Sequence, residues 1–150
     1  MEVNSQDIIN TLKKKIALYE HLGIQSVNIE PHRVSFKVSL AKNTNHKGTA
    51  FGGSIYAVAV LASYAMVLTG LKARGIPTED IVIAKGDIQY IEPVETDFEV
   101  VCEFPDTRSE HDFYEELRAA GKVRGALHSY ILAEGGSRKA SLKGVFVVKC

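Results

Sequence analysis

The 150 residues are 45% hydrophobic and 24% charged, with no tryptophan, and 18 lysines and arginines balance 18 aspartates and glutamates. A chain of this length suits one domain spanning residues 1–150, in which roughly 70% of the unfolded surface is buried on folding. Zero net charge gives no electrostatic reason for nucleic acid or an anionic membrane as the main partner, and it favours self-association.

The first ten residues carry Glu2, Asp7 and amides rather than a basic segment followed by an apolar run. No secretory signal is read there, and a cytoplasmic location is expected. Cys102 and Cys150 form neither a disulfide framework nor a metal-type pair. Residues 4–22 predict an amphipathic helix: Ile8, Ile9, Leu12, Ile16 and Tyr19 recur at three and four, Asn4 or Ser5 caps it, and Gly23 ends it. A short strand over 24–29 follows, with Pro31 opening a turn. In 33–40, Val34, Phe36, Val38 and Leu40 alternate with polar residues, the pattern of a half-buried strand.

A polar loop, Asn43-Thr44-Asn45-His46-Lys47, leads through Gly48-Thr49-Ala50-Phe51-Gly52-Gly53-Ser54 into an apolar helix ending near Arg74-Gly75. No charge occurs between Lys47 and Lys72. A helix over 55–71 would be about 26 Å long, short of a ~30 Å bilayer core. With Ser54, Ser63, Tyr64, Thr69 and Gly70 in it and amphipathic strands around it, the segment is read as a buried core helix. Residues 81–91 predict a strand in which Gly86 marks a bulge or a close backbone approach. In 96–104, Phe98, Val100, Cys102 and Phe104 share one face. A helix over 110–120 is capped by Ser109 and closed by Gly121. Strands over 123–133 and 142–148 are joined by the turn Gly135-Gly136-Ser137. The order α-β-β-α-β-β-α-β-β packs simply when an antiparallel six-stranded sheet curls round the uncharged helix. The edges such a half-wrap leaves open favour pairing of two copies.

This order, together with the junction Asn45-His46-Lys47-Gly48-Thr49-Ala50-Phe51-Gly52-Gly53 and the downstream Ile88-Gln89-Tyr90-Ile91-Glu92-Pro93-Val94, resembles the hotdog-fold acyl thioesterase superfamily. The resemblance covers about residues 24–149. It is nearest to a bacterial branch of thioesterase-like domains that also occurs as the C-terminal half of chains bearing an acetyltransferase. Residues before Ile24 amount to one helix, so no acetyltransferase half is expected here. What the resemblance implies is an α+β hotdog fold: a long central helix wrapped by a six-stranded antiparallel sheet, an extra N-terminal helix, and a short helix between strands 4 and 5. The implied activity is hydrolysis of an acyl-CoA or acyl-carrier-protein thioester, by a homodimer or tetramer without a cofactor.

Thioester hydrolysis needs a polarised carbonyl and an activated water. The free N–H groups of Gly52, Gly53 and Ser54 at the start of the long helix suit the carbonyl, although a Gly-Gly pair also serves tight helix–strand packing. Asn45 matches a residue that in some relatives orients the water or the thioester; the alternative is a turn residue. Many relatives place an Asp or Glu two turns into the helix. Val60 stands there in this chain, so that route is closed. Glu92 is the first candidate for a relocated base, in which case its pocket should raise its pKa towards neutrality. Asp87 and His46 are the others. Phe51, Tyr56, Ser63, Tyr64 and Tyr90 are candidates to line an acyl channel. Lys42, Lys47, Arg74, Arg138 and Lys139 are candidates to meet coenzyme A phosphates. No metal is expected, since His21, His32, His46, His111 and His128 lack ligand spacing. A non-catalytic acyl-thioester sensor or partner-binding module presenting helix 110–120 is the alternative from a different class. A hotdog dehydratase ranks behind both, because the helical carboxylate it calls for is missing.

Overall fold

The structure is a computed structural model and describes residues 3–150. Helix α1 (Ser5–Lys15) is capped by Asn4, whose Oδ1 accepts from the Gln6 N–H at 2.7 Å. The helix predicted over 4–22 is in fact two pieces. Ile16 adopts an extended backbone (φ −119°, ψ 97°), and a separate 3-10 turn follows at Ala17–His21. Lys13, Lys14 and Lys15 sit in the last turn of α1, where cations suit the helix dipole. Breaking at Ile16 lets Ile8 and Leu12 bury from one piece and Tyr19 from the other.

Strands β1 (Ile24–Glu30) and β2 (Arg33–Val38) form a hairpin, and α2 (Gly52–Ala73) is the long helix. Then come β3 (Asp80–Tyr90), β4 (Phe98–Glu103), α3 (Thr107–Ala120), β5 (Lys122–Ala133) and β6 (Arg138–Lys149). The six strands make one antiparallel sheet in the order β1-β2-β4-β5-β6-β3, leaving β1 and β3 as edges. This is the α+β hotdog arrangement, with α2 packed against β2 to β6.

Helix α2 is long and apolar enough to cross a membrane by length and composition alone, but 78% of its most apolar stretch is buried within the protein. The inward residues of the strands meet it: Val34, Phe36 and Val38, then Phe98, Val100 and Cys102, then Leu127, Ile131, Leu142 and Phe146. Gly70 of α2 lies under Tyr114 of α3, whose hydroxyl donates to the Val67 carbonyl at 3.1 Å. Helix α3 starts three residues earlier than expected. Asp106, not Ser109, is its cap, accepting from the Ser109 N–H at 2.7 Å. Gly121 closes α3 in the left-handed conformation (φ +74°), as anticipated.

The sheet does not cover all of α2. Gly53, Tyr56, Ala57 and Val60 stay partly exposed, at the spacing of one helix face, beside the free edge of β3. Exposed Phe51, Tyr90 and Ile91 border the same region.

Candidate active site

Two segments far apart in sequence meet at the start of α2. The first is the loop 43–51, and Asn45 organises it. The Asn45 Oδ1 accepts from the backbone N–H of Lys47 at 2.9 Å and of Thr49 at 3.1 Å, while Nδ2 donates to Thr49 Oγ1 at 2.8 Å. Its backbone N–H also donates to the Thr49 carbonyl. The turn role left open by the sequence is therefore filled. An Asn amide has two N–H groups, so one remains for a substrate beyond the bond to Thr49.

Asn43 contributes more than its place in the loop suggested. It is buried, with Nδ2 donating to the carbonyls of Leu22 and Ser39 at 2.8 and 2.7 Å, and its own carbonyl accepts the Phe51 N–H at 2.7 Å. No local pattern separates Asn43 from Asn45: both are loop amides two residues apart, and tertiary contacts alone distinguish them.

The second segment is the exit of β3. Tyr90 donates its hydroxyl to the Gly52 carbonyl at 2.8 Å, and the Ala50 N–H donates to the Val94 carbonyl at 2.9 Å. These two ties bracket Glu92 and bring the exit turn against the first turn of α2. There Phe51 occupies the cap position without a side-chain cap bond, and the first internal helix bond runs from the Ile55 N–H to the Phe51 carbonyl. The N–H groups of Gly52, Gly53 and Ser54 precede that bond. The first turn holds no acidic residue, so the positive end of the helix dipole is unopposed there by its own side chains. A Cβ at 53 would come within 2.5 Å of the ring of Phe51, which is exposed and would have to swing aside.

Asn45, Phe51, Gly52, Gly53, Ser54 and Tyr90 thus meet at the start of α2, and Glu92 lies on the turn between Tyr90 and Val94 with its side chain engaged by Lys139. Tyr64 does not, because twelve residues along a helix place it about 18 Å from the first turn. It is buried, and that burial, followed by the Glu79 charge, raises its phenol above the ordinary value. Val60 is partly buried and α2 carries no carboxylate. Glu92 is exposed and paired with Lys139, Nζ to Oε2, at 2.7 Å. The hydrogen bond and charge of Lys139 hold its carboxyl below the usual range, opposite to the rise expected for a base poised near neutrality. His46 and Asp87 are exposed, Asp87 standing opposite Lys143 in the β3–β6 register. Among the described residues no three His, Cys, Asp or Glu side chains cluster as a metal site would require.

Solved structures share this fold. A protein of unknown function from Chlorobaculum tepidum TLS superposes with a TM-score of 0.88 at 23% identity, over 97% of this chain and 93% of that one. A structure described as the "putative thioesterase" from Shewanella oneidensis gives 0.85 at 26% identity, over 97% and 96%. Thioesterase superfamily member 2 from Mus musculus shares the fold at 14% identity, with a TM-score of 0.71 and 97% of each chain covered. No curated protein sequence matches. Residues 5–150 match the family described as "Putative thioesterase (yiiD_Cterm)", and the chain, with its hotdog sheet and glycine-led central helix, belongs to that thioesterase family.

Proposed function

We propose that this protein hydrolyses an acyl thioester carried by coenzyme A or an acyl-carrier protein. The observation that carries the reading is the uncapped Gly52-Gly53-Ser54 turn of α2, with Asn45 held in the adjoining loop. The thioester carbonyl oxygen takes the N–H groups of that turn, where negative charge developing on the oxygen meets fixed donors. Water adds to the carbonyl carbon, its proton passes to a base, and the carbon–sulfur bond breaks. The carboxylic acid and the thiol leave, the thiol sulfur taking a proton in place of the acyl carbon. No cofactor enters this balance.

Asn45 donates its remaining amide hydrogen to the thioester or the water. Glu92 is the candidate base, sitting on the exit turn that Tyr90 and Val94 tie to the site. Its pair with Lys139 opposes that role and has to open before the carboxylate gains basicity. Phe51, Gly53 and Ser54 flank the entry of the acyl group, with Tyr64 deeper along the helix. Two copies joined along β3 would cover the half-open face of α2, and a cytoplasmic location goes with soluble thioester substrates.

A non-catalytic acyl-thioester sensor is the second reading, favoured by the absence of any carboxylate on α2 and by the engaged state of Glu92. Thiol release from short, long and aromatic acyl-CoAs decides between them. Hydrolysis is expected in the wild type, with Glu92→Gln about 100-fold slower, the usual scale for a lost acid–base group, and Asn45→Ala also about 100-fold slower, the scale for a lost preorganised donor. A fall of less than about tenfold in Glu92→Gln would remove Glu92 as the base. Saturable binding of acyl-CoA without thiol release would establish the sensor instead.

A further inference from the structure

Consecutive glycines leave the first turn of α2 with little intrinsic order, because each loses more backbone freedom on folding than any other residue. Phe51 supplies no side-chain cap. Among the described residues, one side-chain hydrogen bond reaches this turn: that of the Tyr90 hydroxyl to the Gly52 carbonyl. The ring also lies on bare backbone, where a Cβ at Gly52 would touch the Tyr90 Cζ and hydroxyl oxygen at 3.4 Å. Tyr90 is half exposed, so burial alone does not fix its place.

One helical turn further on, Tyr56 crosses in the other direction. Its hydroxyl rests against Gly86 of β3, in space that any side chain at 86 would occupy. The strand therefore reaches the helix through Tyr90 and the helix reaches the strand through Tyr56. The two contacts set the first turns of α2 against the free edge of β3.

We infer that Tyr90 is a positioning residue, whose hydroxyl holds Gly52 so that the N–H groups of Gly52, Gly53 and Ser54 converge on one point. It acts through the backbone and not by touching the reacting atoms, which separates it from the acyl-channel role its sequence position suggested. The inference rests on the hydrolase reading for its kinetic consequence but not for its structural one. Tyr90→Phe keeps the ring and removes the one bond.

Two measurements on the full-length protein test it. In acyl-CoA hydrolysis, Tyr90→Phe is expected to lower kcat about five- to tenfold with KM within about twofold, the size and pattern of one lost hydrogen bond that matters in the transition state. In backbone ¹⁵N relaxation, the Gly52 and Gly53 amides are expected to be as rigid as the rest of α2 in the wild type and to lose order in Tyr90→Phe. Unchanged kcat and KM would overturn the proposal. So would a raised KM at constant kcat, which marks a substrate contact. Should the wild type release no thiol from any acyl-CoA, the hydrolase reading falls by itself and the amides alone judge the clamp. Loss of order at Gly52 and Gly53 then supports it, and equal rigidity in both proteins overturns it.

Discussion

Burial pushes the Cys102 thiol up to about 11, and Ser63 and Ser129 surround it with a small polar knot. The Ser63 and Ser129 hydroxyls lie 2.9 Å apart, and both reach the Ala59 carbonyl. Alkylation requires the thiolate and access to it. The native protein is therefore expected to react through exposed Cys150 alone, with one equivalent labelled at pH 8 and the count unchanged at pH 9, and with two labelled in denaturant. Two equivalents in the native state would show that the core opens. The sequence identified Cys102 as a core residue through its alternation with Phe98 and Val100. It did not reveal the Glu92–Lys139 pair, because that contact depends on the register that sets Tyr90 opposite Ala140 across β3 and β6. The Asn45 loop and the Gly52-Gly53 turn were legible because their chemistry is local.

At the scale of elements, helix α2 could be read from its lack of charge, and the alternating strands from their period of two. The ends were harder. Strand β6 begins at Arg138, four residues before the apolar run, because pairing with β5 on one side and β3 on the other holds Arg138–Ser141 extended without help from hydrophobicity. The start of α3 was missed because Asp106 and Ser109 are both good caps, and only Asp106 has the extended backbone a cap needs. That cap makes a pH prediction. Hydrogen bonds from Ser109 hold the Asp106 carboxyl below its ordinary value. A carboxyl lowered by folding stabilises the fold above its unfolded pKa, and the contribution is lost as pH falls through the lowered folded value. Asp106→Ala should accordingly lower Tm by about 2–4 °C at pH 7. The gap to wild type should narrow towards pH 2, and a gap that stays constant with pH would contradict the assignment.

On the scale of the molecule, the half-wrapped helix raises the question of association. The free edge of β3 runs beside the partly open Tyr56, Ala57 and Val60, and exposed Val82, Tyr90 and Ile91 lie on or next to the same strand. An unpaired edge next to apolar surface is a template for another chain. Sedimentation equilibrium should return about twice the 16.4 kDa chain mass, or about four times if dimers pair again. A value at 16.4 kDa across micromolar concentrations would remove the expected dimer.

The strand order has a consequence for how the protein is made. Strand β3 has a single neighbour, β6, although α3 and two other strands lie between them in the chain. A ribosome adding about 5–20 residues per second needs on the order of seconds to pass from Tyr90 to Lys149. Throughout that interval β3 has emerged with nothing to pair with, and the apolar flank of α2 beneath it is uncovered. The nascent chain is therefore expected to expose apolar surface at a defined stage of its synthesis, and the pairing of β6 is the event that ends that exposure.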